Sequence, residues 1–264
     1  MGTSTGAAYA LVGMTSDPRR IVADGYDAIV DRYLDWIDGI EGDPRMAWLE
    51  AFAERTPPDG RVLELGCGAG VPLTASLARR FETTGVDISA RQIARARELV
   101  PGARFLVGDM TSLTLDQTFD GVAAFTSIPH VPRELHAAVF ERIVGWLRPG
   151  GWFVAALGGY DDPSWTGEWL GVPMFFSSFD PDTSVELMAT RRPADRAPRA
   201  GDDERTRRGR RDVPLGARPA RLTQAFAAAD RRAAAPRGLP SSRPTVLARL
   251  SSPDRVAPRS EPIP

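Results

Sequence analysis

The sequence predicts an α/β fold: a doubly wound, mostly parallel sheet with helices on both faces. Three observations carry this. Short apolar runs alternate with helical patterns from residue 61 to residue 157. The first run enters a loop with glycines at 66, 68 and 70, and the second ends on an aspartate, Asp87. Alternating strands and helices bury a parallel sheet on both faces, and right-handed crossovers give the doubly wound arrangement.

In chain order, residues 1–18 are small and polar. Residues 21–37 place Ile21, Ile29, Val30, Tyr33, Leu34 and Ile37 at roughly helical spacing, so one helix is expected there. Pro44 suits the start of a second helix through Trp48, Leu49 and Phe52, which Pro57, Pro58 and Gly60 then break. Strands are expected at 61–65, 84–88, 103–107, 119–125 and 152–157. Helices are expected at 71–81, 90–99 and 133–147, the last stopped by Pro149, Gly150 and Gly151. Residues 160–187, rich in aromatics and turn formers, read as a loop or cover with a helix starting near Asp182 or Thr183.

At Met188 the composition changes. Residues 1–187 hold 15 Arg against 26 acidic residues, whereas residues 188–264 hold 18 Arg against 8. Of those last 77 residues, 44 are Arg, Pro or Ala, too little apolar surface to offset the entropy of ordering. The expected division is therefore a folded domain over 1–187 and a disordered tail over 188–264, with a short helix near 221–235 and the final strands of the sheet missing. A one-base slip of the reading frame near residue 188 would also produce such a change: suitable codons for Leu215–Pro219, read one base later, give Trp-Val-Leu-Ala-Arg, a strand-like string.

Other classes are disfavoured. No run approaches the ~18 apolar residues of a membrane helix, and no signal pattern opens the chain. Cys67 is the only cysteine, which excludes an intrachain disulfide, and no Cys/His cluster suggests a metal. A cytoplasmic location is expected. The Arg-rich tail raises nucleic-acid binding as an alternative, weakened by its acidic residues and by its lack of interleaved aromatics.

The chemistry concentrates in Val62-Leu63-Glu64-Leu65-Gly66-Cys67-Gly68-Ala69-Gly70. Glycines let a ligand approach the backbone, and the helix that follows offers unpaired amides. A dinucleotide-binding GxGxxG turn, and with it a nicotinamide-dependent oxidoreductase, would place the third glycine one residue later. Asp87, at the end of the second strand and 21 residues after Gly66, can accept hydrogen bonds from both hydroxyls of a ribose. As an alternative it could cap the helix from Ala90, but Ser89 is the better cap.

The acidic residue, three alternating glycines, Asp87-Ile88, Gly108-Asp109-Met110, the Asp120–Phe125 strand and Leu147-Arg148-Pro149-Gly150-Gly151 occur in the order seen in class I S-adenosylmethionine-dependent methyltransferases, which the chain resembles over about Val22–Leu187. The resemblance implies a Rossmann-like sheet, S-adenosyl-L-methionine as cofactor and transfer of its methyl group to an oxygen or nitrogen atom of a small-molecule acceptor, in specialised metabolism. It also implies cofactor-binding roles for Tyr33, Glu64, Gly66, Gly68, Gly70, Asp87, Ile88, Asp109, Met110 and Phe125. His130, at the carboxyl end of the sheet, is the candidate catalytic base. Trp165, Trp169, Phe175, Phe176 and Phe179 are candidates to line an acceptor pocket, or to form a lid that never touches the acceptor.

Overall fold

The computed structural model describes residues 17–190 and the strand 245–249. Its main sheet has six strands in the order β3-β2-β1-β4-β5-β8. These are β1 (Arg61–Leu65), β2 (Glu82–Asp87), β3 (Arg104–Val107), β4 (Phe119–Phe125), β5 (Leu147–Ala156) and β8 (Thr245–Arg249). The first five run parallel, and β8 joins β5 antiparallel.

The central strands β1, β4 and β5 carry apolar residues toward both faces because both faces are buried. Leu63, Leu65, Val122, Ala124, Phe153 and Ala155 point to one side, against Val139, Phe140 and Ile143. Those three belong to helix α6 (His136–Trp146). Val62, Ala123, Phe125, Val154 and Ala156 point to the other side, against Leu49 and Phe52 of α3 (Pro44–Ala53) and Leu73 and Leu77 of α4 (Leu73–Leu77). The alternation has the two-residue period of a strand. Each fully buried Phe or Leu adds about 1.5–3 kcal/mol of apolar transfer.

Several elements depart from the sequence expectation. The single helix expected over 21–37 is two, α1 (Pro18–Ala28) and α2 (Val30–Asp38), separated at the fully buried Ile29. The helix expected from Val71 shrinks to α4, with Pro72 as its N-cap. The cover expected over 160–187 contains a β-hairpin, β6 (Asp162–Trp169) and β7 (Val172–Ser178), followed by α7 (Pro181–Thr190). Leu170 and Gly171 both have positive φ, the two-residue turn that suits a twisted hairpin. The flanking Trp165, Thr166, Trp169, Val172, Phe175 and Phe176 are good strand formers.

The sheet also does not stop at five strands, as the missing-strand expectation had it. Thr245–Arg249 lies on the free edge of β5, because a short run with Val246 and Leu247 forms a strand once an edge is available, whatever its basic surroundings. The expected helix near 221–235 and the rest of the tail lie outside the described residues. Helix α7 continues past residue 187, and its Met188 is buried in the core.

Candidate active site

A pocket opens at the carboxyl ends of β1, β2, β3 and β4, the edge where open α/β sheets bind ligands. Its floor is the loop after β1. Gly66 and Gly68 have φ of +72° and +54°. A Cβ on Gly66 would fall 2.1 Å from the Ser127 Cβ, so only glycine fits. Gly66 and Gly68 line the pocket, whereas Gly70 packs behind the loop toward Val100 and Phe105.

Asp87 closes the loop from the side. Its Oδ2 accepts from the Gly68 amide at 2.8 Å and its Oδ1 from the Ser89 amide at 2.9 Å. Burial raises its pKa to about 6 against the pull of those amides. Ser89 is the N-cap of α5 (Ala90–Leu99), accepting from the Gln92 amide at 3.1 Å. Its hydroxyl donates to Asp27 of α1, which docks that helix on the start of α5.

Glu64 is buried beneath the loop and does not line the pocket. Burial pushes its carboxyl to about 7, although the Thr74 hydroxyl donates to it at 2.5 Å and the Arg45 guanidinium attracts it. Cys67 is buried, and burial raises its thiol well above the usual range.

Ile88, Asp109, Met110 and Phe125 line the walls. Arg19, at the start of α1, reaches Asp109 Oδ2 and Thr111 Oγ1 at 3.4 Å each. Tyr33 of α2 lies over Gly68, its Cε1 3.3 Å from where a Gly68 Cβ would stand.

His130 also lines the pocket, in a 3-10 turn after β4 (Ile128–His130). Its Nδ1 lies 2.9 Å from the Phe175 carbonyl of β7 and its Nε2 2.8 Å from the Tyr26 hydroxyl. A carbonyl only accepts, so Nδ1 carries hydrogen and the neutral ring offers its Nε2 lone pair to the tyrosine O–H. His136, the other histidine, is a packing residue: Nε2 donates to the Val131 carbonyl at 2.9 Å and burial lowers its pKa.

Above the rim the hairpin packs on α1, Met174 and Phe175 meeting Val22 and Ile29. Gly25 allows this approach, since a Cβ there would lie 2.9 Å from the Pro173 carbonyl oxygen. Trp169 bridges Tyr26, Tyr33, Trp36 and Phe176, at centroid distances of 5.7–6.2 Å. Trp165 is exposed and meets Phe176 at a tilt, whereas Phe179 packs against His136 and Arg133. The structure thus gathers eight of the ten expected cofactor residues and His130 around one pocket, with Glu64 and Gly70 behind it. Sequence reasoning did not single out Arg19 or Val22. The Asp17-Pro18 cap was the available signal that a helix begins early enough to bring Arg19 over Asp109.

Residues 62–151 match a family model described as a methyltransferase domain. The matched stretch is a methyltransferase domain similar to those of class I S-adenosylmethionine-dependent methyltransferases. Over 165 residues the chain is 34% identical to the 2-methyl-6-phytyl-1,4-hydroquinone methyltransferase of Synechocystis sp., covering 51% of this chain and 50% of that protein. It is 39% identical over 99 residues to the trans-aconitate 2-methyltransferase of Variovorax paradoxus, covering 36% and 37%. The chain spans about half, or less, of the length of these curated relatives. The fold resembles that of the N-methyltransferase NodS of Bradyrhizobium japonicum bound to S-adenosyl-L-homocysteine, with a TM-score of 0.52 at 17% identity over 66% of this chain and 85% of that one. It resembles the DhpI–SAH complex with a TM-score of 0.51 at 24% identity over 66% and 88%.

The pocket fits S-adenosyl-L-methionine, the cofactor of such domains. The glycine cradle leaves room a side chain would fill, Asp87 is an acceptor facing it, and the buried carboxamide of Gln92 has no protein partner beside Gly68. Among the described residues no His/Cys/Asp/Glu group could hold a metal, and no helix is long and apolar enough to cross a membrane.

Proposed function

We propose that this domain transfers a methyl group from S-adenosyl-L-methionine to an oxygen or nitrogen atom of a small-molecule acceptor. One observation carries the reading: a single pocket is lined both by the glycine loop with Asp87 and by the Tyr26–His130 pair. When bound, the cofactor supplies an electrophilic methyl carbon on a sulfonium, so the protein's task is orientation and proton handling.

In this reading Asp87 accepts from the ribose hydroxyls. Asp109 faces the adenine amino group, with Ile88, Met110 and Phe125 against the ring. Tyr33 covers the junction with the amino-acid portion, while Glu64 and Gly70 shape the loop from behind. His130 takes the acceptor's proton at Nε2, with the Tyr26 hydroxyl passing it along. The aromatic cap over the rim suits an acceptor with an apolar, flat face.

The chemistry is assigned to residues 1–187, since every lining residue falls between Arg19 and Val131. A cytoplasmic location and a role in specialised metabolism belong to the same proposal, the first supported by the single buried thiol. Its test is binding followed by transfer. S-adenosyl-L-homocysteine at about 100 times its dissociation constant is expected to stabilise the protein by about 2.7 kcal/mol, with no response to a nicotinamide dinucleotide. Label from methyl-labelled cofactor should then appear in small molecules of an extract. A folded protein indifferent to S-adenosyl-L-homocysteine would overturn the proposal.

A further inference from the structure

Gln92 is fully buried, and neither atom of its carboxamide has a hydrogen-bond partner. Native proteins rarely leave an amide in that state, because desolvating it without a partner is unfavourable. The local sequence explains how it came about. Ser89-x-x-Gln92 has the form of a capping box, in which the glutamine side chain would return to the amide of the capping serine. Here that amide already donates to Asp87 Oδ1 at 2.9 Å, so the carboxamide is displaced from its usual task.

Its position gives it another. Oε1 lies 3.9 Å from the point a Gly68 Cβ would occupy, and the Tyr33 ring stands 3.3 Å from the same point. Gly68 and Tyr33 both line the pocket, so the amide sits directly behind its lining. Asp87 beside them accepts but cannot donate, and each of its oxygens already holds a backbone donor. A vicinal diol brings hydroxyls that donate to a carboxylate and still have lone pairs to fill. The carboxamide supplies the donor that Asp87 lacks.

Resting on the cofactor reading above, we infer that Gln92 is a ribose-binding residue, its Nε2 donating to a sugar hydroxyl that itself donates to Asp87. The Tyr33 ring shifts off Gly68 as the sugar enters.

The test compares the full chain with Gln92→Met, which keeps length and loses the amide. Titration calorimetry with S-adenosyl-L-homocysteine should show affinity weakened about tenfold, the size of one well-made hydrogen bond. Adenosine, which lacks the amino-acid tail, should show the same factor, and 2′,3′-dideoxyadenosine should bind both proteins alike. The ligand-free melting temperature should be equal or higher, because an unpaired buried amide is gone. Gln92→Leu replaces Gln92→Met if the latter does not fold. Equal affinity of the variant and the parent for S-adenosyl-L-homocysteine, or a loss that persists with the dideoxy nucleoside, overturns the assignment alone. A parent chain that ignores S-adenosyl-L-homocysteine overturns the cofactor reading and this assignment with it.

Discussion

At the glycine-loop end of the pocket the surface is made largely of backbone: the bend at Gly66 and Gly68 and the amides held by Asp87. Around Tyr26 and His130 it is made of side chains from distant parts of the chain. Tyr26 and His130 are 104 residues apart, and the Phe175 carbonyl that orients the histidine lies 45 residues further on. A backbone-built end tolerates few substitutions and serves one ligand. A side-chain-built rim can be repacked, and a family that keeps one cofactor while varying its acceptors needs that freedom.

The sharpest way to break this contrast is Gly66→Ala. The added Cβ has no room beside Ser127, and φ is positive, so a loss of roughly 3 kcal/mol or more is expected in chemical denaturation, together with loss of S-adenosyl-L-homocysteine binding. A Gly66→Ala protein with parental stability and affinity would show the loop to be plastic.

The next effect is a pH dependence. Glu64 at about 7 and Asp87 at about 6 lie above their unfolded values, so folding favours their protonated forms. Their contribution is fully present below about pH 4 and is lost as pH rises through 6 to 7. The urea midpoint of the ligand-free protein should therefore fall between pH 5 and pH 8, by an amount on the order of 2 kcal/mol. Asp120 works the other way. Burial would raise it, but the Arg61 amide and the Arg148 guanidinium hold it below the usual range, so its contribution is lost only in acid, below pH 4. A midpoint that is flat or rises from pH 5 to 8 would contradict the buried-carboxyl account.

At the rim, Tyr26→Phe should lower kcat about tenfold while affinity for S-adenosyl-L-homocysteine, measured by calorimetry, changes little. A matched loss in binding would place Tyr26 with the cofactor end instead. The smallest effect is expected from Trp165→Ala. The residue is 40% exposed, and thermal unfolding should shift by less than about 1 kcal/mol, even where acceptor KM rises.

The same division decides what could be read from the sequence. Val62–Gly70, Asp87 and Asp109 announced themselves because local spacing dictates their geometry, and the strands from 61 to 156 followed from short apolar runs alternating with helical patterns. The hairpin was missed because its turn is Leu170-Gly171, where asparagine or aspartate usually leads, and because its aromatics also suit a loose cover. The break at Ile29 was invisible, since the apolar spacing of 21–37 continues through it. Neither Tyr26–His130 nor Arg19–Asp109 has a local signature, for both depend on how α1 lies across the sheet.

The strand Thr245–Arg249 shields the flank of β5 from 89 residues further along the chain. None of its residues lines the pocket. A protein cut after residue 190 would retain every group needed to greet the nucleoside while baring a row of amides and carbonyls next to Phe153 and Val154. Such a fragment should fail by sticking to its own copies before it fails in recognition, so solubility and ligand affinity would part company.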